Sequence, residues 1–304
     1  MEIWQYLAIF CFSLYFLNIK RFFIRPNFRG KTVWITGASS GIGESLAYEF
    51  ARAEASLILS ARNQAELDRV ALRCREACRN TEQSIKVVPL DITQFDETMQ
   101  TVREHLKEIN VDILVNNAGM SQRTLCLETV NDINVEKKIL DLNFMGSVAM
   151  TKSILPQFVQ KKSGQIVNIN SVVGIIAGPL RTAYSASKFA LKGYMEALRA
   201  EVAEYNVIVT DIYPGFVQTN ISKNAISADG GKFGKVDADI SSGMPVSKFA
   251  RKALHSIYTQ QPESIIAQLK FTTLILLKKM SYGLYNKLLI RAAKSILSTR
   301  NLAK

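Results

Sequence analysis

The sequence predicts an α/β fold: an open, doubly wound parallel sheet with helices on both faces, giving three layers. Three observations lead there. Short apolar runs alternate with longer amphipathic stretches from Thr32 to Tyr213, the pattern of strands joined by crossover helices. The first run passes at once into a glycine-bearing turn and a helical stretch, and a second apolar run completes a βαβ unit. Small residues gather where the runs end, which is where ligands approach in open α/β sheets.

Ahead of the first strand, Ile3 to Ile19 is a 17-residue apolar run broken only by Gln5, Ser13 and Asn18. That is the short limit for crossing a hydrocarbon core as a helix, and Trp4, Tyr6 and Tyr15 suit its interfaces. No basic leader or small-residue cleavage site accompanies it, so an uncleaved hydrophobic anchor helix is expected within residues 1–29. A surface-lying or buried apolar helix is the alternative. Lys20, Arg21, Arg25, Arg29 and Lys31 follow the run, while only Glu2 and the terminal amine precede it. The bias of short basic flanks therefore points the remainder of the chain to the cytosol, with the anchor in the endoplasmic reticulum membrane. Residues 30–270 are expected to form the catalytic domain, and 271–304 an apolar and basic extension.

The 304 residues carry a net charge of +12, which favours anionic partners: nucleic acid, a membrane surface or a phosphorylated cofactor. No Lys/Arg block interleaved with aromatics occurs, which argues against nucleic acid. Four cysteines (Cys11, Cys74, Cys78 and Cys126) and two histidines in a chain this long suggest neither a disulfide framework nor a zinc site.

The strand Thr32 to Ile35 leads into TGASSGIG, Thr36 to Gly43, and a helix over Glu44 to Ala53. A strand, a glycine turn and a helix N-terminus present bare amides to a pyrophosphate. Gly37, Gly41 and Gly43, with Ser39, Ser40 and Ile42 between them, depart from the longer GxGxxG spacing. The second strand, Ala55 to Ser60, ends in Ser60-Ala61-Arg62, where a carboxylate for a ribose 2′-hydroxyl would ordinarily stand. A guanidinium there matches a 2′-phosphate, so NADP(H) is the expected cofactor. The alternative is that Arg62 merely opens an exposed helix. A third strand over Ile85 to Leu90 ends at Asp91 and Ile92, within reach of an adenine amino group. A fourth, Asp112 to Val115, ends at Asn116-Asn117-Ala118-Gly119.

Gln165 to Asn170 reads as a fifth strand ending at Ser171, and a helix opening near Thr182 carries Tyr184 and Lys188. Four residues apart on a helix, the phenol and the ammonium share a face. A neighbouring positive charge favours the phenolate, which suits a tyrosine to proton transfer, and Ser171 can hold the same substrate oxygen. Tyr and Lys at this spacing also occur in ordinary amphipathic helices. A sixth strand, Val207 to Tyr213, ends at Pro214-Gly215. The polar stretch Asn220 to Pro245 follows as a substrate lid.

TGASSGIG, NNAG, the serine thirteen residues before the tyrosine, YSASK, and Pro214-Gly215 with Thr219 occur in one order. Together they resemble the short-chain dehydrogenase/reductase superfamily over about Lys31 to Lys270. The stretches NNAGMSQRTLC and LDLNFMGSVAMTKSILP resemble its membrane-bound, retinol- and steroid-directed members. The resemblance implies a Rossmann-type fold and an oxidoreductase interconverting a carbonyl and an alcohol on a lipophilic substrate. Tyr184 is the implied general acid/base. Lys188 lowers its pKa and holds the nicotinamide ribose, Ser171 steadies the substrate oxygen, and Asn143 fixes a helix kink. Pro214, Gly215, Val217 and Thr219 would flank the nicotinamide, with Asn117, Ala118 and Gly119 beside the cofactor. A homodimer is a further expectation. Some membrane-bound relatives face the lumen, and Asn220-Ile-Ser222 is an acceptor sequence for glycosylation there. A membrane-tethered scaffold that binds cofactor without turnover is the competing class, which the complete Asn143, Ser171, Tyr184, Lys188 set disfavours.

Overall fold

The computed structural model describes residues 25–78, 82–235 and 237–301. The apolar run expected to form an anchor lies outside them, and among the described residues no helix is long and apolar enough to cross a membrane.

Seven parallel strands form one sheet in the order β3-β2-β1-β4-β5-β6-β7. They are β1 Thr32–Thr36, β2 Ser56–Ser60, β3 Ile85–Val87, β4 Ile113–Asn116, β5 Gly164–Ile169, β6 Val207–Pro214 and β7 Glu263–Ile266. Six of these fall where the apolar runs predict them; β3 stops at Val87, short of the expected Leu90. The seventh is an addition. It is an edge strand of four residues whose burial alternates, too short for a periodic signal.

Alternation along each strand sends side chains to two separate cores. On one face Val33, Ile35, Leu57 and Val115 meet α1 (Gly41–Arg52), α2 (Gln64–Ala77) and α8 (Val246–Tyr258) through Phe50, Leu67 and Phe249. On the other, Trp34, Leu114 and Ile166 meet α3 (Phe95–Leu106), α5 (Gly146–Lys161) and α6 (Thr182–Glu201) through Val102, Phe158 and Met195. Asn63 caps α2 by accepting from the Glu66 amide at 3.2 Å, so the helix starts directly after Arg62.

α4 (Asn134–Leu140) runs into α5 through a π-helical turn, Asp141–Met145. Such turns widen a helix locally and recur at functional sites. Asn143, the residue expected to fix a helix kink, sits buried at its centre. After β6 the lid contains the short helix α7 (Ala238–Ser241), and the chain ends in α9 (Leu269–Met280) and α10 (Tyr282–Asn301).

Candidate active site

The C-terminal edge of a parallel sheet gathers the ends of all its strands. Here that edge brings together the glycine turn after β1, Arg62 after β2, Asn117 to Gly119 after β4, Ser171 after β5 and Pro214 at the end of β6.

The glycine turn is shaped by close approach. Gly37 has φ +64°, and a Cβ on Gly43 would stand 2.3 Å from the Gly37 carbonyl oxygen, so only glycine lets α1 begin so near the strand. Asn117 braces the turn by donating from Nδ2 to the carbonyls of Thr36 (2.9 Å) and Gly37 (3.1 Å). The N-cap Ser40 makes no side-chain capping bond, which leaves the first amides of α1 pointing outward as an anion cradle. The residues fit a pyrophosphate.

Arg62 is exposed and makes no hydrogen bond or ion pair with the described residues. Asp91 uses Oδ1 to accept from the Thr93 amide (3.1 Å) and hydroxyl (2.8 Å). Two expected cofactor residues point inward instead. Ile92 is buried, and a Cβ on Gly146 would stand 2.7 Å from its Cδ1. Val217 belongs to the core beneath α8. Only their backbones can face a ligand. Thr219 lies beside Gly41, 3.4 Å from a Cβ placed there. A cleft of about 690 Å³ opens between this glycine turn and the lid, lined by Gly41, Tyr48, Thr219, Asn220 and Ile240. Ser171, Tyr184 and Lys188 do not line it.

Ser171 caps the one-turn helix Val172–Gly174 by accepting from the Val173 amide at 3.3 Å. Tyr184 is 8% exposed. Gln122 fixes the start of its helix, Oε1 accepting from the amides of Ala183 (2.8 Å) and Tyr184 (3.2 Å). Asn143 ties the same helix to the loop after β4. Its Oδ1 accepts from the Met120 amide (2.8 Å), and its Nδ2 donates to the Met120 carbonyl (2.9 Å) and to Ser187 Oγ (3.0 Å).

Burial holds the Tyr184 phenol above its ordinary value, opposed by the Ser171 hydrogen bond and then by the charges of Arg181 and Arg123. Lys188 is 4% exposed. Its Nζ donates to the Ile169 carbonyl at 2.9 Å, and burial pushes its pKa down to about 8 against the pull of Asp211. Two positive charges that favour the phenolate, Arg181 and Arg123, are ones that sequence reasoning missed. Arg123 is 4% exposed and donates through Nε to Asp237 Oδ2 at 2.6 Å. Arg181 Nη2 lies 3.6 Å from the same oxygen. Asp237 belongs to the lid, 114 residues beyond Arg123, and no spacing rule joins such a pair. Asn170 is a second omission: its buried Nδ2 has no partner among the described residues, directly before Ser171.

Comparison with known proteins agrees with this architecture. The family profile for short chain dehydrogenase matches residues 31–230. Dehydrogenase/reductase SDR family member 7 of Homo sapiens is 43% identical over 79% of this chain and 70% of its own length. A Drosophila melanogaster protein, dehydrogenase/reductase SDR family protein 7-like, is 39% identical over 88% of this chain and 83% of its own. A short-chain dehydrogenase from Sphingobium yanoikuyae in complex with NADPH superposes with a TM-score of 0.69 at 28% identity, over 84% of this chain and 95% of that one. A Burkholderia phymatum member in complex with NAD shares the fold with a TM-score of 0.73 at 22% identity, over 86% and 96% of the two chains. With its glycine turn, its parallel sheet and its Ser171, Tyr184, Lys188 group in place, this chain belongs to the short-chain dehydrogenase/reductase family.

Proposed function

We propose that this oxidoreductase uses NADP(H) to interconvert a carbonyl and an alcohol on a lipophilic substrate of the retinoid or steroid kind. The observation that carries the reading is the gathering of Ser171, Tyr184 and Lys188 at the C-terminal edge of the sheet, with the buried Lys188 ammonium held by the Ile169 carbonyl. Bound NADP(H) supplies the hydride chemistry. The glycine turn would hold its pyrophosphate, Arg62 its 2′-phosphate, Asp91 its adenine and Lys188 its nicotinamide ribose. The backbone from Pro214 to Val217, with Thr219, would flank the nicotinamide. Tyr184 moves a proton to or from the substrate oxygen, and Ser171 steadies that oxygen. Asn143 is a positioning residue, locking the loop after β4 to the tyrosine's helix.

The anchor is proposed to lie at the N-terminus in the endoplasmic reticulum membrane, with the folded domain in the cytosol. The basic flank supports this, as do Cys74, Cys78 and Cys126, which are free thiols. Asn220 lines the cleft beside Gly41, a poor place for a sugar in a cofactor-binding protein. Protease added to intact microsomes should digest the domain, and deglycosylation should leave its mass unchanged. Protection together with a mass loss would place the domain in the lumen.

Tyr184→Phe keeps the ring but removes the proton. Turnover should fall at least about 100-fold, while NADPH binding, followed by fluorescence, stays as in the parent. Retained turnover would assign the acid–base role elsewhere.

Arg62→Asp should shift preference toward NAD(H). A charge-assisted contact is worth about 1.5 to 3 kcal/mol, or roughly one to two decades in affinity. An unchanged ratio of NADPH to NADH affinity would make Arg62 a surface residue only.

Arg181→Met removes a charge that favours the phenolate, so the Tyr184 pKa rises. In the alcohol-oxidising direction the base form is required. The rising limb of kcat/KM against pH should therefore move to higher pH. A limb left in place, or moved lower, would show that Arg181 does not act on the phenol.

A further inference from the structure

From Ser264 to Lys304 the chain has eight Lys or Arg and no Asp or Glu, so these 41 residues hold +8 of the net +12. The same stretch holds nine of the fifteen exposed large apolar side chains among the described residues, Met280 being 84% exposed. Exposed aliphatics scattered singly mean little, but a concentration of them with unopposed cations marks a surface that meets something.

The inward face of this helix pair is already occupied. Ile275 and Tyr285 are buried against Ile176, Lys278 Nζ donates to the Ile175 carbonyl at 2.6 Å, and the Tyr285 hydroxyl donates to the Ala177 carbonyl at 3.4 Å. Ile175 to Ala177 belong to the loop between Ser171 and Tyr184. Gln268, just ahead of α9, accepts from the Phe216 amide (3.1 Å) and donates to its carbonyl (2.8 Å). The pair is thus fixed to the catalytic loop and to the segment after Pro214.

Its outward face is free. On α10, Lys287, Arg291 and Lys294 follow one line at helical spacing, with Leu284 and Leu288 on one side and Ile290 and Leu297 on the other. Lys279 extends the basic character onto α9, and all four cations are exposed and without an ion pair among the described residues.

We propose that this face docks on an anionic lipid surface, holding the loop between Ser171 and Tyr184 at membrane level. Cations meet headgroup phosphates while the flanking aliphatics enter the interface. No described helix is long and apolar enough to span, so the helix pair lies on the surface. A second copy of the same face is disfavoured, because pairing it with itself sets cation against cation.

Hydrogen exchange on the full chain, reconstituted in phosphatidylcholine vesicles with and without phosphatidylserine, tests the assignment. Backbone amides from 269 to 298 should exchange more slowly only with phosphatidylserine, each engaged cation contributing roughly fivefold to the docking equilibrium. High salt, or joint replacement of Lys279, Lys287, Arg291 and Lys294 by Glu, should abolish the effect. Unchanged exchange from 32 to 214 in that variant confirms that it folds. Equal protection with and without phosphatidylserine, or none in either, would overturn the proposal. Lipid-free protection growing with protein concentration would overturn it in favour of a dimer face.

Discussion

A carboxylate buried in the sheet constrains everything around it. Asp211 on β6 is wholly buried, and burial raises its pKa to about 7 even with its partners in place. Arg199 donates to it at 2.6 Å and Asn168 of β5 at 3.1 Å. Asn168 accepts in turn from Asn116 of β4 at 3.0 Å. These three residues stand directly opposite one another in the ladder. A slip of one residue would turn each to the other face of the sheet and leave the carboxylate without partners, which costs several kcal/mol. The chain of side chains therefore locks the register of β4, β5 and β6. That register delivers Asn117, Ser171 and Pro214 to one edge.

Burial governs the chemistry at that edge. It favours the neutral form of both Tyr184 and Lys188, so each depends on charges supplied by residues around it. Arg181 and Arg123 act on the phenol, and Asp211 acts on the lysine from beneath. Asp211 thus joins the architecture to the site: the group that fixes strand register also sustains the ammonium. Both arginines converge on Asp237, so the charges that act on Tyr184 are held by a residue of the stretch between β6 and α8.

Much of this was legible in the residues because the signals are local. The glycine turn, the polar strand ends and the tyrosine–lysine spacing each sit within a few residues, and their order along the chain identified the family. The missing parts are long-range. Arg123 and Asp237 meet only through folding, β7 offers four residues with little pattern, and the bracing role of Gln122 needs two loops to come together. Ile92 and Val217 are themselves expected cofactor contacts, yet pleat and turn geometry send their side chains into the cores.

The strand order also sets how the molecule can be assembled. Chain growth lays β2 and β3 outward from β1, and the chain must then return to place β4 on the free side of β1. Val33 pairs with Ile113 across that gap, the one closure that spans three helical connections. From β4 onward each new strand adds beside the last, so assembly follows the direction of synthesis. Non-local parallel pairing is slow, and the edge of β4 is an open template until β5 arrives. The helices that brace the loop between Ser171 and Tyr184 come last of all. A chain that has laid down all seven strands but not α9 and α10 therefore holds the complete sheet while the loop between Ser171 and Tyr184 lacks its outer support.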